Sequence, residues 1–263
     1  MLKIATWNIN SVRIRTAALA RFVSEAKPDV LCLQEIKCRD GEFPSAAFRE
    51  MGLRYIHVVG QKGWHGVAIA SRHRIEPIEF RLCPRSEARA AAVRVEGIEI
   101  HNIYLPAGAD VPDASINPKF QHKLDFVEAM RAHYASRRGK APTVVVGDLN
   151  IAPGEHDVWS HKQLLDVVSH TPAETEGLDR IRDQGGFIDL ARLHKPDPEK
   201  LFTWWSYRSP DHTRTNRGRR LDHIWASEDL APRSQADAFA IHAHTRSWER
   251  PSDHVPVMAS LKL

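Results

Sequence analysis

Nine short apolar runs are spread along the chain, and only packed sheets can bury them all: KIATWNI, DVLCLQEI, YIHVV, GVAIAS, AVRV, IEIHNIYL, TVVVGDLN, RLDHIWAS and VPVMASLKL. They are rich in Val and Ile, and several are almost unbroken by polar residues, the pattern of strands buried on both faces. Segments of helical periodicity stand between them: RTAALARFVSEAK ahead of Pro28, KFQHKLDFVEAMRAHYASRR after Pro118, and a third from Leu178 to Gln184. The stretch from Glu155 to Glu176 is weakly periodic and rich in His, Ser and Thr, which predicts an irregular excursion between strands. Many strands with few helices predict an α/β protein in which two sheets pack face to face with helices on the outside. With 263 residues and no Ser/Gly linker, repeat or composition break, a single domain over residues 1–263 is expected.

Composition narrows the classes of function. Hydrophobic residues make up 42% and charged residues 27%, as in ordinary globular proteins. No apolar stretch reaches membrane-spanning length, and the opening MLKIATWNIN alternates like a strand rather than reading as a signal peptide. No membrane role and a cytoplasmic location are therefore expected. The three cysteines, Cys32, Cys38 and Cys83, show no C-x-x-C spacing and read as core or incidental thiols in a reducing compartment rather than as disulfides or a zinc site. A net charge of +4 fits a polyanionic partner. Basic residues gather in three places: Arg214, Arg217, Arg219 and Arg220 in HTRTNRGRRLDH, Arg137, Arg138 and Lys140 in SRRGK, and Lys62 beside Trp64 in QKGWHG. Each alone is an ordinary solvated loop; together they suggest phosphate contacts.

Polar residues recur where the apolar runs end. Asn8 and Asn10 stand in TWNINS, Gln34 and Glu35 in CLQEIK, Asn102 and Tyr104 in HNIYLPAG, Asp148 and Asn150 in GDLN, Asp222 and His223 in RRLDHIW, and Asp253 and His254 in PSDHVPV. Singly, each has an ordinary use: a turn cap for Asp148 and Asn150, a surface carboxylate for Glu35, a packed aromatic for Tyr104, an Asp turn with an incidental imidazole for SDH. Six such groups brought to one rim by packed sheets would make a site. Oxygen donors without cysteine favour Mg2+, or Mn2+ as the alternative, over zinc. Phosphoryl chemistry follows. It needs a cation against the phosphate, a carboxylate to orient or deprotonate water, and a cationic or hydrogen-bonding group on a non-bridging oxygen. Glu35, Asp148 and His254 would supply these.

The ordered set TWNIN, LQEIK, GQKGWHGVAIAS, NIYLPAG, VVVGDLNIAP, FTWWSYR, RLDHIWAS and PSDHVPV resembles the exonuclease III family of Mg2+-dependent DNA-repair nucleases, within the endonuclease/exonuclease/phosphatase superfamily. GDLN and SDH are short motifs, but the set runs in order along nearly the whole chain. The resemblance implies a four-layered α/β sandwich, two mixed sheets flanked by helices, with the site at one rim. It implies that Glu35 is the principal metal ligand, supported by Asn8 and Asn10, with Asp253 next to the metal. Asp148 would orient or activate the attacking water with Asn150 beside it, Tyr104 would contact the scissile phosphate, and His254 would bind a phosphate oxygen while Asp222 orients its imidazole. Whether one or two ions act, and whether Asp148 or His254 is the base, stay open. Trp204, Arg219 and Leu221 fall where the family forms a small pocket for the sugar of a nucleotide lacking its base, and Arg208, Lys62 and Trp64 join them as substrate-binding residues.

Three departures bear on substrate. Arg219 stands where an apolar residue is usual, Ala107 where a phosphate-contacting amide is common, and His170 in VVSHTPAE where several relatives have a smaller residue beside the flipped sugar. The implied partner is double-stranded DNA with abasic or blocked 3′ ends. The expected activities are 3′-phosphatase and 3′→5′ exonuclease, with incision 5′ to abasic sites secondary. A chain of this size is expected to act as a monomer. Two other readings stand beside this one: a phosphoesterase of the same fold acting on a small or lipid phosphoester, and a catalytically silent DNA- or protein-binding module. The Arg-rich loop at 214–220 and the Trp64 loop argue against the first, and the joint presence of Glu35, Asp148, Asp222 and His254 against the second.

Overall fold

The computed structural model describes residues 1–208 and 211–263. Among the described residues there are twelve strands: β1 (Leu2–Asn8), β2 (Val30–Gln34), β3 (Tyr55–Val59), β4 (Val67–Ser71), β5 (Glu76–Ile78), β6 (Ala90–Val95), β7 (Ile98–Tyr104), β8 (Thr143–Asp148), β9 (Phe187–Asp189), β10 (Asp222–Ser227), β11 (Ala240–Ile241) and β12 (Val257–Leu261). The helices are α1 (Thr16–Ala26), α2 (Ser45–Glu50), α3 (Pro118–Arg137), α4 (His161–Leu164), α5 (Pro172–Gly185), α6 (Leu190–His194) and α7 (His212–Thr215). No described helix is long and apolar enough to cross a membrane.

All nine apolar runs form strands. The three unforeseen strands, β5, β9 and β11, have only two or three residues each, too few to show a period. Helix α5 starts at Pro172, ahead of the expected Leu178, so the predicted excursion is shorter than the sequence suggested. Its entry carries a capping box between Thr171 and Glu174 and a proline in the first turn, both legible in TPAE.

The strands form two six-stranded sheets, ordered β11-β12-β1-β2-β4-β3 and β5-β6-β7-β8-β10-β9. Each is mixed: β1 and β2 run parallel around α1, β7 and β8 run parallel around α3, and the remaining pairs are antiparallel. Alternation sorts the side chains into layers. Leu2 and Ile4 of β1, Val144 and Val146 of β8, and Ile224 of β10 share the core between the sheets. Ala5 and Trp7 face out beneath α1 and α2, while Val145 and Trp225 face out beneath α3 and α5. The result is the four-layered sandwich.

Following the inner face along each strand leads to the site. On β1 the inward series is Leu2, Ile4, Thr6, Asn8; on β2 it is Val30, Cys32, Gln34; on β7 Ile98, Ile100, Asn102, Tyr104; on β8 Val144, Val146, Asp148. Apolar residues give way to a buried amide layer, where Gln34 Nε2 donates to Asn102 Oδ1 at 2.7 Å and to Thr6 Oγ1 at 2.9 Å. Asn102 Nδ2 in turn donates to the Leu33 and Ala68 carbonyls of the facing sheet. Gln34 and Asn102 thus clamp the sheets together, and the next inward residues stand at the rim. That rim is the carboxyl end of both parallel pairs, the usual side for ligands in α/β sheets.

Two basic groups lie away from it. The SRRGK loop precedes β8, whose far end carries Asp148, so it sits at the opposite rim; there Arg137 pairs with Glu99 and Arg138 with Glu228, each at 2.7 Å. Arg220 is buried, gripping Asp157 and Asp189, and is a structural ion rather than a phosphate ligand.

Candidate active site

Register brings the carboxylates together. Asp148 stands opposite Tyr104 on one side and Asp222 on the other, while Asn8 comes across from the first sheet. The Asn8 amide bridges the halves of the site, donating from Nδ2 to Glu35 Oε1 at 3.0 Å and to Asp148 Oδ2 at 2.9 Å. Tyr104 OH also donates to Glu35 Oε1, at 2.7 Å. Burial pushes the phenol pKa up, and the Glu35 and Asp148 carboxylates push it further, so Tyr104 stays a proton donor. Burial alone would also raise Glu35, but Lys37 and the hydrogen bonds from Asn8 and Tyr104 bring it down to about 2.

Asp148 is 1% exposed. Its Oδ1 accepts the Asn150 backbone N–H at 2.9 Å, and its Oδ2 lies 3.2 Å from Asn150 Nδ2. Burial pushes its pKa up to about 7 against the pull of the nearby His254 imidazolium. His254 Nδ1 sits 2.8 Å from Asp222 Oδ2, which leaves Nε2 facing Asp148 Oδ2 at 3.7 Å. Burial favours a neutral ring, yet Asp222 and Asp148 outweigh it and hold the imidazole near 10. Thr203 Oγ1 donates to the same Asp222 oxygen at 2.6 Å, whereas Asp222 Oδ1 is buried without a hydrogen-bond partner.

Several of these residues hold unusual backbone. Asn10, Glu35 and Asn150 have φ of 46°, 50° and 51°. Asn tolerates this region, but for Glu35 it costs on the order of 1–2 kcal/mol. The turn is held because Ser11 N donates to the Glu35 carbonyl at 2.7 Å and Val12 N to Ile36 O at 3.2 Å.

The residues expected around a sugar pocket lie beside these carboxylates. The backbone of Trp204 bridges Arg219 on one side and His254 on the other. Its indole N–H donates to Asp253 Oδ2 at 3.1 Å, and Asp253 Oδ1 accepts from Asn10 Nδ2 at 3.2 Å. The Arg219 guanidinium lies 5.5 Å from the Trp204 ring centroid, with NH1 donating to Val168 O at 2.9 Å and Ser169 Oγ at 2.7 Å. Leu221 is buried among Ala152, Val158 and Leu164. His170 is also buried, Nδ1 at 2.6 Å from the Ala152 carbonyl and Nε2 at 2.8 Å from His161. Ala107 offers its carbonyl to Lys123. Arg208, Lys62 and Trp64 are exposed, Trp64 by 71%.

The chain is similar to known proteins along nearly its whole length. The sequence profile of the Endonuclease/Exonuclease/phosphatase family matches residues 5–254. Exodeoxyribonuclease III from Haemophilus influenzae is 30% identical over 275 residues, covering 99% of this chain and 100% of that protein. The chain belongs to the exonuclease III family. An AP endonuclease from Archaeoglobus fulgidus superposes with a TM-score of 0.92 at 33% identity over 100% of both chains. A 3′-phosphatase from Neisseria bound to a product DNA hairpin superposes with a TM-score of 0.90 at 30% identity, again over 100% of both.

Within this exonuclease III site, several residues escaped the sequence reading. Lys37 Nζ lies 2.9 Å from Glu35 Oε2 and 2.6 Å from Asn10 Oδ1. It was legible in LQEIK, but a loop lysine is normally solvated. Thr203, which orients Asp222, and Ser252, whose hydroxyl donates to the Asn8 carbonyl at 2.7 Å, carry no sequence signal, because their roles come from tertiary contacts. Tyr207 joins Asn10, Arg15 and Pro251 at the edge of the site.

The donor set suits a hard divalent cation. Glu35 and Asn10 already converge their oxygens on one positive charge, the Lys37 ammonium, and no sulfur lies among them. A second group, Asp148, Asp222 and His254, brings one potential ligand atom from each to within 4.8 Å of the others.

Proposed function

We propose that this protein is a Mg2+-dependent DNA phosphodiesterase of base-excision repair, acting on duplex DNA as a 3′-phosphatase and 3′→5′ exonuclease, with incision 5′ to abasic sites as a secondary activity. The observation that carries the reading is the convergence of Glu35, Tyr104, Asp148 and the Asp222–His254 pair on one rim through a single bridging amide, Asn8.

The chemistry follows from the atoms. Asp148, with its pKa raised toward neutrality, accepts a proton from the attacking water, while Asn8 and Asn150 hold its carboxylate in one orientation. His254, kept protonated by Asp222, donates from Nε2 to a non-bridging phosphate oxygen. Tyr104 offers its hydroxyl to the same phosphate. Glu35, with Asn8, Asn10 and Asp253, would hold a divalent ion that when bound would supply positive charge against the phosphate. Water adds to phosphorus and gives its proton to Asp148, the bond to the leaving oxygen breaks, and that oxygen takes up a proton from solvent.

The preference for 3′ ends rests on Arg219. Its guanidinium stacks toward Trp204 and is tied to the 168–169 segment, which sets a charged group across the pocket that a base-less sugar would enter. A terminal phosphate suits a guanidinium better than a bare sugar does. His170, the other bulky departure, is engaged by the Ala152 carbonyl and by His161.

The test is a gel assay on labelled duplexes carrying either a central abasic site or a nick with a 3′-phosphate, each with Mg2+ and with EDTA. Removal of the 3′-phosphate well ahead of abasic incision, both abolished by EDTA, is the expected result. Arg219→Ala should raise abasic incision relative to 3′ trimming. Equal or faster abasic incision by the native protein overturns the preference, and silence on both substrates overturns the nuclease reading.

A further inference from the structure

Outside the active site, one more cluster of metal-ligating side chains stands out among the described residues. Cys83 and Glu87 lie on the loop between β5 and β6, His122 on α3, and one potential ligand atom from each lies within 4.8 Å of the other two. We propose that Cys83, Glu87 and His122 form a second metal site, selective for a thiophilic divalent ion such as Zn2+, that fastens this loop to helix α3.

The donor chemistry separates this site from the catalytic one. A thiol, an imidazole and a carboxylate are the mixed set that zinc takes in tetrahedral geometry, with a fourth position left to water, whereas the Glu35 centre offers only oxygens. Bond lengths of about 2.0–2.3 Å place tetrahedral ligands roughly 3.3–3.8 Å apart, so the triad must close by about 1 Å. One of the three edges is already closed: His122 Nε2 lies 3.2 Å from Glu87 Oε2. The remainder falls to Cys83, which is half-buried on a loop and free of any disulfide.

His122 is buried and presents Nε2 to Glu87. Its ring is 5% exposed, and its Nδ1 is buried without a hydrogen-bond partner. Glu87 is likewise drawn inward, held by the Arg89 guanidinium at Oε2, with His65 Nε2 at 3.9 Å. Arg89 carries the link onward to the active site, since its NH1 donates to the Tyr104 carbonyl at 3.3 Å and its guanidinium lies 4.8 Å from the Tyr104 ring centroid. Metal binding at this triad stiffens the loop that positions Arg89 behind Tyr104. Coordination replaces the Cys83 S–H bond with an S–metal bond and releases that proton to solvent, so affinity rises with pH.

The experiment uses the intact protein, stripped with EDTA and titrated with Co2+. A thiolate-to-cobalt absorption band should grow to one equivalent and be bleached by added Zn2+. Cobalt at the oxygen-lined catalytic centre produces no such band, and Cys32 and Cys38 are fully buried, so the band reports Cys83. Cys83→Ser should abolish it, and Cys83→Ser and Glu87→Gln should each weaken Zn2+ binding, read by competition with a chromogenic chelator, by more than about tenfold. Zn2+ should raise the melting temperature of the native protein and leave that of Cys83→Ser unmoved. Absence of the band at equimolar Co2+, or equal tight-site Zn2+ affinity in native protein and Cys83→Ser, overturns the proposal.

Discussion

In the proposed reaction Asp148 would owe its reactivity to burial and to four side chains that hold it: Asn8, Asn150, His254 and, through His254, Asp222. Asp148→Asn keeps the size and much of the hydrogen bonding but removes the proposed proton acceptor. Turnover on a 3′-phosphate duplex should fall by roughly 10²–10⁴-fold, while duplex affinity, measured by fluorescence anisotropy, and melting temperature stay within error of the native protein. Loss of fold would instead make the carboxylate a structural cap of β8. The residues that a sequence reveals at this scale are those whose types are out of place on an apolar strand, as Asp148, Tyr104 and Asp222 are. Lys37 and Thr203 are unremarkable in their own neighbourhoods and become functional only where the Glu35 turn and the Leu201–Trp205 segment meet the rest of the site.

At the level of elements, the stretch TVVVGDLN shows how a strand serves as a mount. Gly147 has φ of 138°, and a Cβ there would lie 1.9 Å from the Ile103 carbonyl of β7. Only glycine lets β7 and β8 pair up to Tyr104 and Asp148, so Gly147→Ala combines overpacking with backbone strain and should cost on the order of 2–6 kcal/mol. Urea unfolding would read this directly, and a cost under 1 kcal/mol would show that the strands can part without loss. A second mount is ionic. Burial would raise Asp157, but Arg220 and Arg192 hold its carboxyl down at about 2. Because this folded-state value lies below the unfolded one, the stabilisation is complete above about pH 4 and disappears as the pH falls through 2, an effect on the order of 2 kcal/mol. Asp157→Asn should destabilise the protein by about 3–5 kcal/mol at pH 7, by leaving Arg220 without half its counter-charge, and should flatten the acid limb of stability against pH. The long strands were legible because burial on both faces leaves continuous apolar runs. The ion cluster was not, since Asp157, Asp189 and Arg220 are far apart in sequence and each reads as an ordinary surface residue; Arg220 was even grouped with the phosphate-binding arginines.

For the molecule as a whole, a net charge of +4 does not say which face meets DNA, but the two rims differ in how their cations are used. At the rim opposite the site, Arg137 and Arg138 are committed to Glu99 and Glu228. At the active rim, Lys62 and Arg208 are exposed, and Trp64 presents most of its indole beside Lys62. Each phosphate neutralised on duplex DNA adds about 0.9 to the slope of log affinity against log salt. Lys62→Ala should therefore weaken duplex binding and reduce that slope by about 1, largely irrespective of sequence. Lys140→Ala, an equal change in net charge at the far rim, should leave the slope unaltered. Anisotropy titrations of the native protein and both variants from low to moderate salt decide the matter: equal effects would mean that binding follows total charge, whereas an effect confined to Lys62 would fix the DNA on the rim where Asp148 and His254 stand.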